Sequence, residues 1–229
     1  GPTQSYIGWE QTATGVMGVW AIENTREAIW DAMKRKETFA TTGPRMKLRF
    51  FGGFDFSDAD LEVDLAASGY QRGVTMGSRM HEAPQGKSPT FIVAAMKDPE
   101  GANLDRIQII KGWIDSTGEA HEKVFDVVWS GNRELNAQGK LPAVGDTVDR
   151  GTATYENTIG AAQLAGVFKD PEFNPTNRAV YYVRVLEIPT PRWTLYDKVR
   201  FGIEDMDDEV PLVHQERAFS SPIWYGSEG

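Results

Sequence analysis

The hydrophobic period of this chain changes sharply between residues 23 and 51, and that change limits the architectures open to it. In Glu23-Asn-Thr-Arg-Glu-Ala-Ile-Trp-Asp-Ala-Met-Lys-Arg-Lys-Glu37, Ala28, Ile29, Ala32 and Met33 recur at the spacing of one helix face. Asn24 with Glu27 three residues on reads as a capping box. Lys34, Arg35 and Lys36 suit the negative end of a helix dipole. Thr42-Gly-Pro44 closes the element, because proline disfavours helix in the residue before it. This is the only strong helix start in the sequence, and because exposing Trp9, Trp20 and Trp30 would invite aggregation, the helix is expected to pack on the sandwich.

From Met46 the pattern turns to strands. Alternation and β-branched content predict them at residues 46–54, 89–97, 106–114, 122–129, 151–159 and 179–188. Asp115-Ser-Thr-Gly118 joins two of them in the best hairpin of the chain. A short helix is expected over residues 160–168. With 23 glycines and 12 prolines spread between strands, the expected fold is mainly β: a two-sheet antiparallel β-sandwich with one N-terminal α-helix.

Composition removes several functions. A net charge of -9, from 24 basic and 33 acidic residues, argues against a nucleic-acid phosphate binder or an anionic membrane surface as partner. The longest apolar run, Phe91-Ile-Val-Ala-Ala-Met96, is far below the roughly 20 residues a helical membrane span needs. With no cysteine there is no disulfide, thiolate zinc site or cysteine nucleophile. Gly1-Pro2 reads as a protease scar, so a native signal segment could have been removed.

Catalytic motifs are scarce. His81, His121 and His214 each stand alone, and the zinc-protease spacing fails at Gln85 and Phe125. All three read as solvated or structural. Gly86-Lys87-Ser88 lacks the leading glycine of a phosphate loop, since His81 stands there. Asp55, Asp58, Asp60, Glu62 and Asp64, and the run Glu204–Glu209, read as solvated loops rather than calcium sites. No catalytic residue and no metal ligand is assigned. The stretch Ile188-Pro-Thr-Pro-Arg-Trp-Thr-Leu-Tyr196 reads as an irregular loop, pinned across the sandwich by Trp193 and Tyr196 or forming a cleft wall. Its arginine and aromatics are what an anionic or ring-shaped ligand would meet.

Several long segments together resemble the bacterial "domain of unknown function 3604" family. They are Gly18–Arg45, Arg49-Phe-Phe-Gly-Gly53, Asp98–Trp113, Tyr182–Trp193 and Gln215–Tyr225. The Thr-x-Gly-Pro element is also similar to that of carbaryl-hydrolase-type metallohydrolases, which have a polymerase-and-histidinol-phosphatase-like barrel. One departure is Thr75-Met-Gly-Ser-Arg-Met80, where relatives tend to carry an acidic residue. The resemblance implies that residues 3–45 are the terminal segment of an adjoining α/β barrel and 46–229 a β-sandwich domain. It implies a non-catalytic module of a metal-dependent hydrolase of phosphoesters or carbamate-type esters. Its partners would be its own N-terminal barrel, which would hold the divalent metal, and a small-molecule ester. A periplasmic location fits the family. Arg45, Arg192 and Trp193 are the expected substrate-facing residues. Two other readings are a carbohydrate- or other ligand-binding sandwich, using Trp113, Trp129, Trp193 and Trp224, and a structural oligomerisation domain. Trp113 and Trp129 are expected between the sheets.

Overall fold

A computed structural model describes residue 9 and residues 15–226; Gly1-Pro2 lie outside the described residues. The chain opens with β1 (Val16–Val19), α1 (Arg26–Lys34), β2 (Thr38–Thr41) and β3 (Lys47–Gly53). Two short helices follow, α2 (Ala59–Glu62) and α3 (Leu65–Arg72). Next come β4 (Val74–Thr75), β5 (Arg79–Met80), β6 (Thr90–Met96), β7 (Leu104–Ile114), β8 (Ala120–Trp129), β9 (Gln163–Lys169) and β10 (Arg178–Glu187). The last third holds β11 (Thr190–Pro191), α4 (Trp193–Phe201), β12 (Val213–His214), β13 (Arg217–Ser220) and β14 (Ile223–Tyr225).

The fold is mainly β and sandwich-like, as expected. β10 is the spine of an eight-stranded sheet: β7 and then β8 lie on one edge, and β13 and β14 share the other. β2 and β1 continue outward from β13, and β5 runs parallel to β14. A four-stranded antiparallel sheet, β4-β3-β6-β9, packs against it. Phe50, Phe91 and Val93 from the smaller sheet meet Ile107, Ile109, Tyr181, Val183 and Val185 from the larger in one apolar core. Each fully buried large side chain there contributes about 1.5–3 kcal/mol.

Strand alternation explains what was legible. On β10, Ala179, Tyr181, Val183 and Val185 are buried while Arg178, Val180, Tyr182 and Arg184 face outward. The β7–β8 hairpin is built by Asp115, whose Oδ1 accepts the N–H groups of Thr117 (2.8 Å) and Glu119 (3.0 Å), and by Gly118 at φ +86°.

Several expectations are corrected. The α1 cap is Thr25, not Asn24: Thr25 is extended and its hydroxyl accepts Ala28 N–H at 3.3 Å. The segment expected as a helix at residues 160–168 runs instead into β9 (Gln163–Lys169), because seven residue pairs with β6 outweigh the local helix preference of Ala161, Ala162 and Ala165. Residues 151–159 are not a strand. Asp149 takes the N–H groups of Gly151 and Thr152, a local turn that competes with the ladder. Three further helices are present. The acidic stretch read as a solvated loop holds α2 and caps α3: Asp64 accepts from Ala66 and Ala67 N–H, and Asp60 is buried against Arg72. Trp113 is half-buried and packs on the core between the sheets, as expected, whereas Trp129 is half-buried beside Arg133. The boundary expected between residues 45 and 46 falls between β2 and β3, and β2 is hydrogen-bonded to β13 in the larger sheet.

α1 docks through its small residues. Ala28 and Ala32 are buried and Ile29 half-buried, so the helix does pack on the sandwich, but Trp30 is 64% and Met33 40% exposed. α3 docks through Gly69, where an added Cβ would lie 2.4 Å from the Phe51 ring. Gly69→Ala improves helix propensity by about 1 kcal/mol but forces Phe51 aside, at a cost of about 1–3 kcal/mol. A lower urea midpoint is the expected net result, and a raised midpoint would show that Phe51 yields without cost.

Candidate functional site

The inward alternation of β10 does not stop at Val185; the next inward residue is Glu187, 1% exposed. The ladder with β7 is irregular here: Leu186 pairs with Arg106 and Glu187 with Leu104, so the register skips Asp105. Glu187 N–H donates to Glu216 O at 3.0 Å, and its carbonyl accepts from Gln215 Nε2 at 2.8 Å. Among the described residues its Oε1 has no hydrogen-bond partner. Burial first, then the charges of Glu216 and Asp98, push the Glu187 carboxyl up to about 8, against a smaller opposing pull from Lys97. That ammonium group is committed to the carbonyls of Asp98, Pro99 and Gly101 at 2.8, 3.2 and 2.8 Å.

The neighbouring acids behave differently. Burial pulls Glu216 upward, but hydrogen bonds from His214 and Thr42, with the His214 and Arg217 charges, outweigh it and leave its pKa below the usual carboxylate value. His214 Nε2 lies 3.1 Å from Glu216 Oε1, and the Thr42 hydroxyl donates to Oε2. Asp98 is lowered chiefly by the Arg45 backbone N–H, which donates to its Oδ2 at 2.7 Å. Tyr155 is raised by burial and by the charges of Glu187, Tyr196 and Asp98. One proton-holding acid is therefore coupled to two carboxylates of lowered pKa, and those two carboxylates hold the loop that follows β2 through Arg45 N–H and the Thr42 hydroxyl. Chemically, the set can hold and exchange a proton near neutral pH.

The expected site residues meet this region unequally. Arg45 is exposed; its backbone N–H donates to Asp98, and its charge adds to the lowering of that carboxyl. Arg192 is buried at the N-cap of α4, its carbonyl accepting from Leu195 N–H at 2.9 Å and its guanidinium 5.2 Å from the Trp193 ring centroid. Trp193 is 39% exposed at the first position of α4. The stretch read as a loop is thus β11 followed by a helix. It is pinned by buried Ile188, Thr190 and Leu195 and by the Thr194 hydroxyl on Pro211 O. Asp105, skipped by the ladder, is held by Arg106, Arg133 and Gln215.

Among the described residues, Asp115, Glu119 and His121 are the one group of three acidic or imidazole side chains with ligand atoms within 4.8 Å of one another. The oxygens of Asp115 already serve Thr117, Glu119 N–H and His121 within the hairpin turn, and these bonds, the Thr117 hydroxyl first, hold its carboxyl below the usual range. His81 is exposed.

Sequence reasoning passed over Glu187, Asp98 and Glu216. A signal for Glu187 was available: it continues the inward series 179, 181, 183, 185 of a strongly alternating strand. Asp98 and Glu216 gave none, since their roles depend on neighbours far away in the chain.

A family model described as "Protein of unknown function (DUF3604)" matches residues 2–227. No curated protein and no solved structure matches the chain.

Proposed function

The chain belongs to the DUF3604 family, and from that membership we propose that it is a non-catalytic module that docks on a metal-dependent hydrolase barrel of the carbaryl-hydrolase type. The observation that carries this reading is the outward face of α1. Ile22 is 91%, Trp30 64% and Met33 40% exposed. Ile29, Trp30 and Met33 line a depression of about 600 Å³ between Arg26 and Glu27. A contiguous apolar surface next to a polar rim is the usual mark of an interface. The Thr41–Arg45 loop follows α1 and β2 directly, so a barrel seated on α1 would also meet Arg45.

In this reading the barrel holds the divalent metal, which lowers the pKa of a bound water and polarises a phosphoester or carbamate. This chain excludes solvent and shapes the substrate wall with Arg45 and Trp193, Arg192 bracing Trp193 from behind. Carbohydrate recognition across Trp113, Trp129, Trp193 and Trp224 has less support. They stand on four different elements, and Trp113 stacks on His121 rather than offering a bare face.

The test compares the purified chain with a longer protein carrying the barrel, on metal content and on turnover of p-nitrophenyl phosphate and a carbamate ester. Only the longer protein is expected to bind metal and turn over; stoichiometric metal with hydrolysis by the chain alone overturns the reading. Trp30→Ser should shift the chain's own stability by less than about 0.5 kcal/mol while weakening its association with the barrel supplied in trans.

A further inference from the structure

On the larger sheet, β14, β10 and β7 place Trp224, Val180 and Gly112 in register across three strands. Ala179 and Tyr181 point into the core, so alternation turns Val180 and its partners to the opposite, outer face. There they form the floor and wall of a groove of about 430 Å³ that is also lined by Arg79, Arg178 and His121. Gly112 keeps the floor flat, since a Cβ would stand only 3.1 Å from Val180 Cγ1. Arg79 is oriented by donating from Nη1 to Gly226 O at 2.9 Å, and Arg178 stands exposed at the rim.

The charge in the groove opposes that of the chain. Net charge is -9, yet among the described residues no aspartate or glutamate lines the groove. Lys36 lies outside the groove lining, its Nζ 5.2 Å from the Trp224 ring centroid. A mostly apolar concavity of this size with a few convergent charged groups suits a small ligand. Guanidinium groups select carboxylates through paired hydrogen bonds, and an indole beside a flat apolar floor selects a ring.

We propose that this groove binds a six-membered ring bearing a carboxylate, the ring lying on the Val180–Gly112 floor beside Trp224 and the carboxylate held by Arg178 with Arg79. A uronic acid and an aromatic acid share this chemistry. The site is independent of the docking role of α1.

The test uses the whole chain with 15N-labelled tryptophan. The indole N–H signal lost in Trp224→Phe identifies Trp224 among the seven tryptophans. Glucuronate, benzoate and glucose are then titrated separately. At least one acid is expected to move the Trp224 signal saturably while glucose does not, and the tighter acid tells a sugar from an aromatic source. Arg178→Gln, with an unchanged urea midpoint, should weaken that binding about tenfold or more, as expected for losing a hydrogen bond to a charged group. Three results overturn the proposal: no movement of the Trp224 signal with either acid, equal binding of glucose, or unchanged affinity in Arg178→Gln.

Discussion

Glu187→Gln is expected to make the protein more stable at pH 9 than the unsubstituted chain and to flatten its stability between pH 5 and 9. The folded carboxyl is raised from 4.5 to about 8, chiefly by burial. The folded state therefore holds this proton more tightly than the unfolded chain. The sign follows from linkage: the contribution is complete below the unfolded value of 4.5 and is lost as pH rises through about 8. Each tenfold change in proton affinity is worth about 1.4 kcal/mol, which sets an upper limit of about 5 kcal/mol. Water reaching the ionised carboxylate would reduce it. Glutamine keeps the shape and stays neutral at every pH. Asp98 and Glu216, both lowered, act oppositely and lose their contributions toward acid, so they do not obscure the alkaline limb. Urea midpoints at pH 5, 7 and 9 decide the matter. If the two proteins lose stability in parallel from pH 5 to 9, Glu187 is not the titrating group.

The second large effect lies at the centre of the sandwich. Lys111 Nζ is 2.6 Å from Asp170 Oδ2, and the Tyr181 hydroxyl donates to the same oxygen at 2.7 Å. Lys111, Asp170 and Tyr181 are 3%, 1% and 0% exposed. Asp170 also caps a turn through Glu172 N–H at 2.9 Å, and Lys111 donates to Glu172 O at 2.9 Å. Burial, then the Asp170 charge, pushes the Tyr181 phenol well above its ordinary value, which keeps it a donor. Lys111→Met leaves the carboxylate buried without its cation and should cost about 3–5 kcal/mol. Tyr181→Phe removes one hydrogen bond and should cost about 1.5–3 kcal/mol, as expected for a bond to a charged group. Pairing Lys111→Met with Asp170→Leu should recover part of the loss, because no buried charge then remains unmatched. Urea denaturation of the three variants reads these differences. A Lys111→Met cost no greater than that of Tyr181→Phe would show that solvent reaches Asp170.

Several elements could be read from the chain because their cause is local. β3, β6, β7, β8 and β10 follow from alternation and β-branched residues, and the β7–β8 turn from Asp115 and Gly118. β9 could not be read this way. Its glutamine, leucine and alanine favour helix alone, and only the open edge of β6 makes them a strand. The acidic stretch before α3 misled for the opposite reason: Asp64 looks like any solvated acid until its oxygen meets the N–H groups of Ala66 and Ala67.

The sequence by itself determined the class of fold, the change from helix to strand after Pro44, the family, and the lack of cysteine chemistry. Those depend on period, composition and contiguous motifs, which neighbours along the chain fix. Only the tertiary structure decided that β2 joins β13, that Trp30 stays in solvent, and that Glu187 is buried between Glu216 and Asp98. The chemistry of a carboxyl group is set by how much water it loses and which charges it gains. Both come from residues distant in sequence, brought together only when the two sheets close.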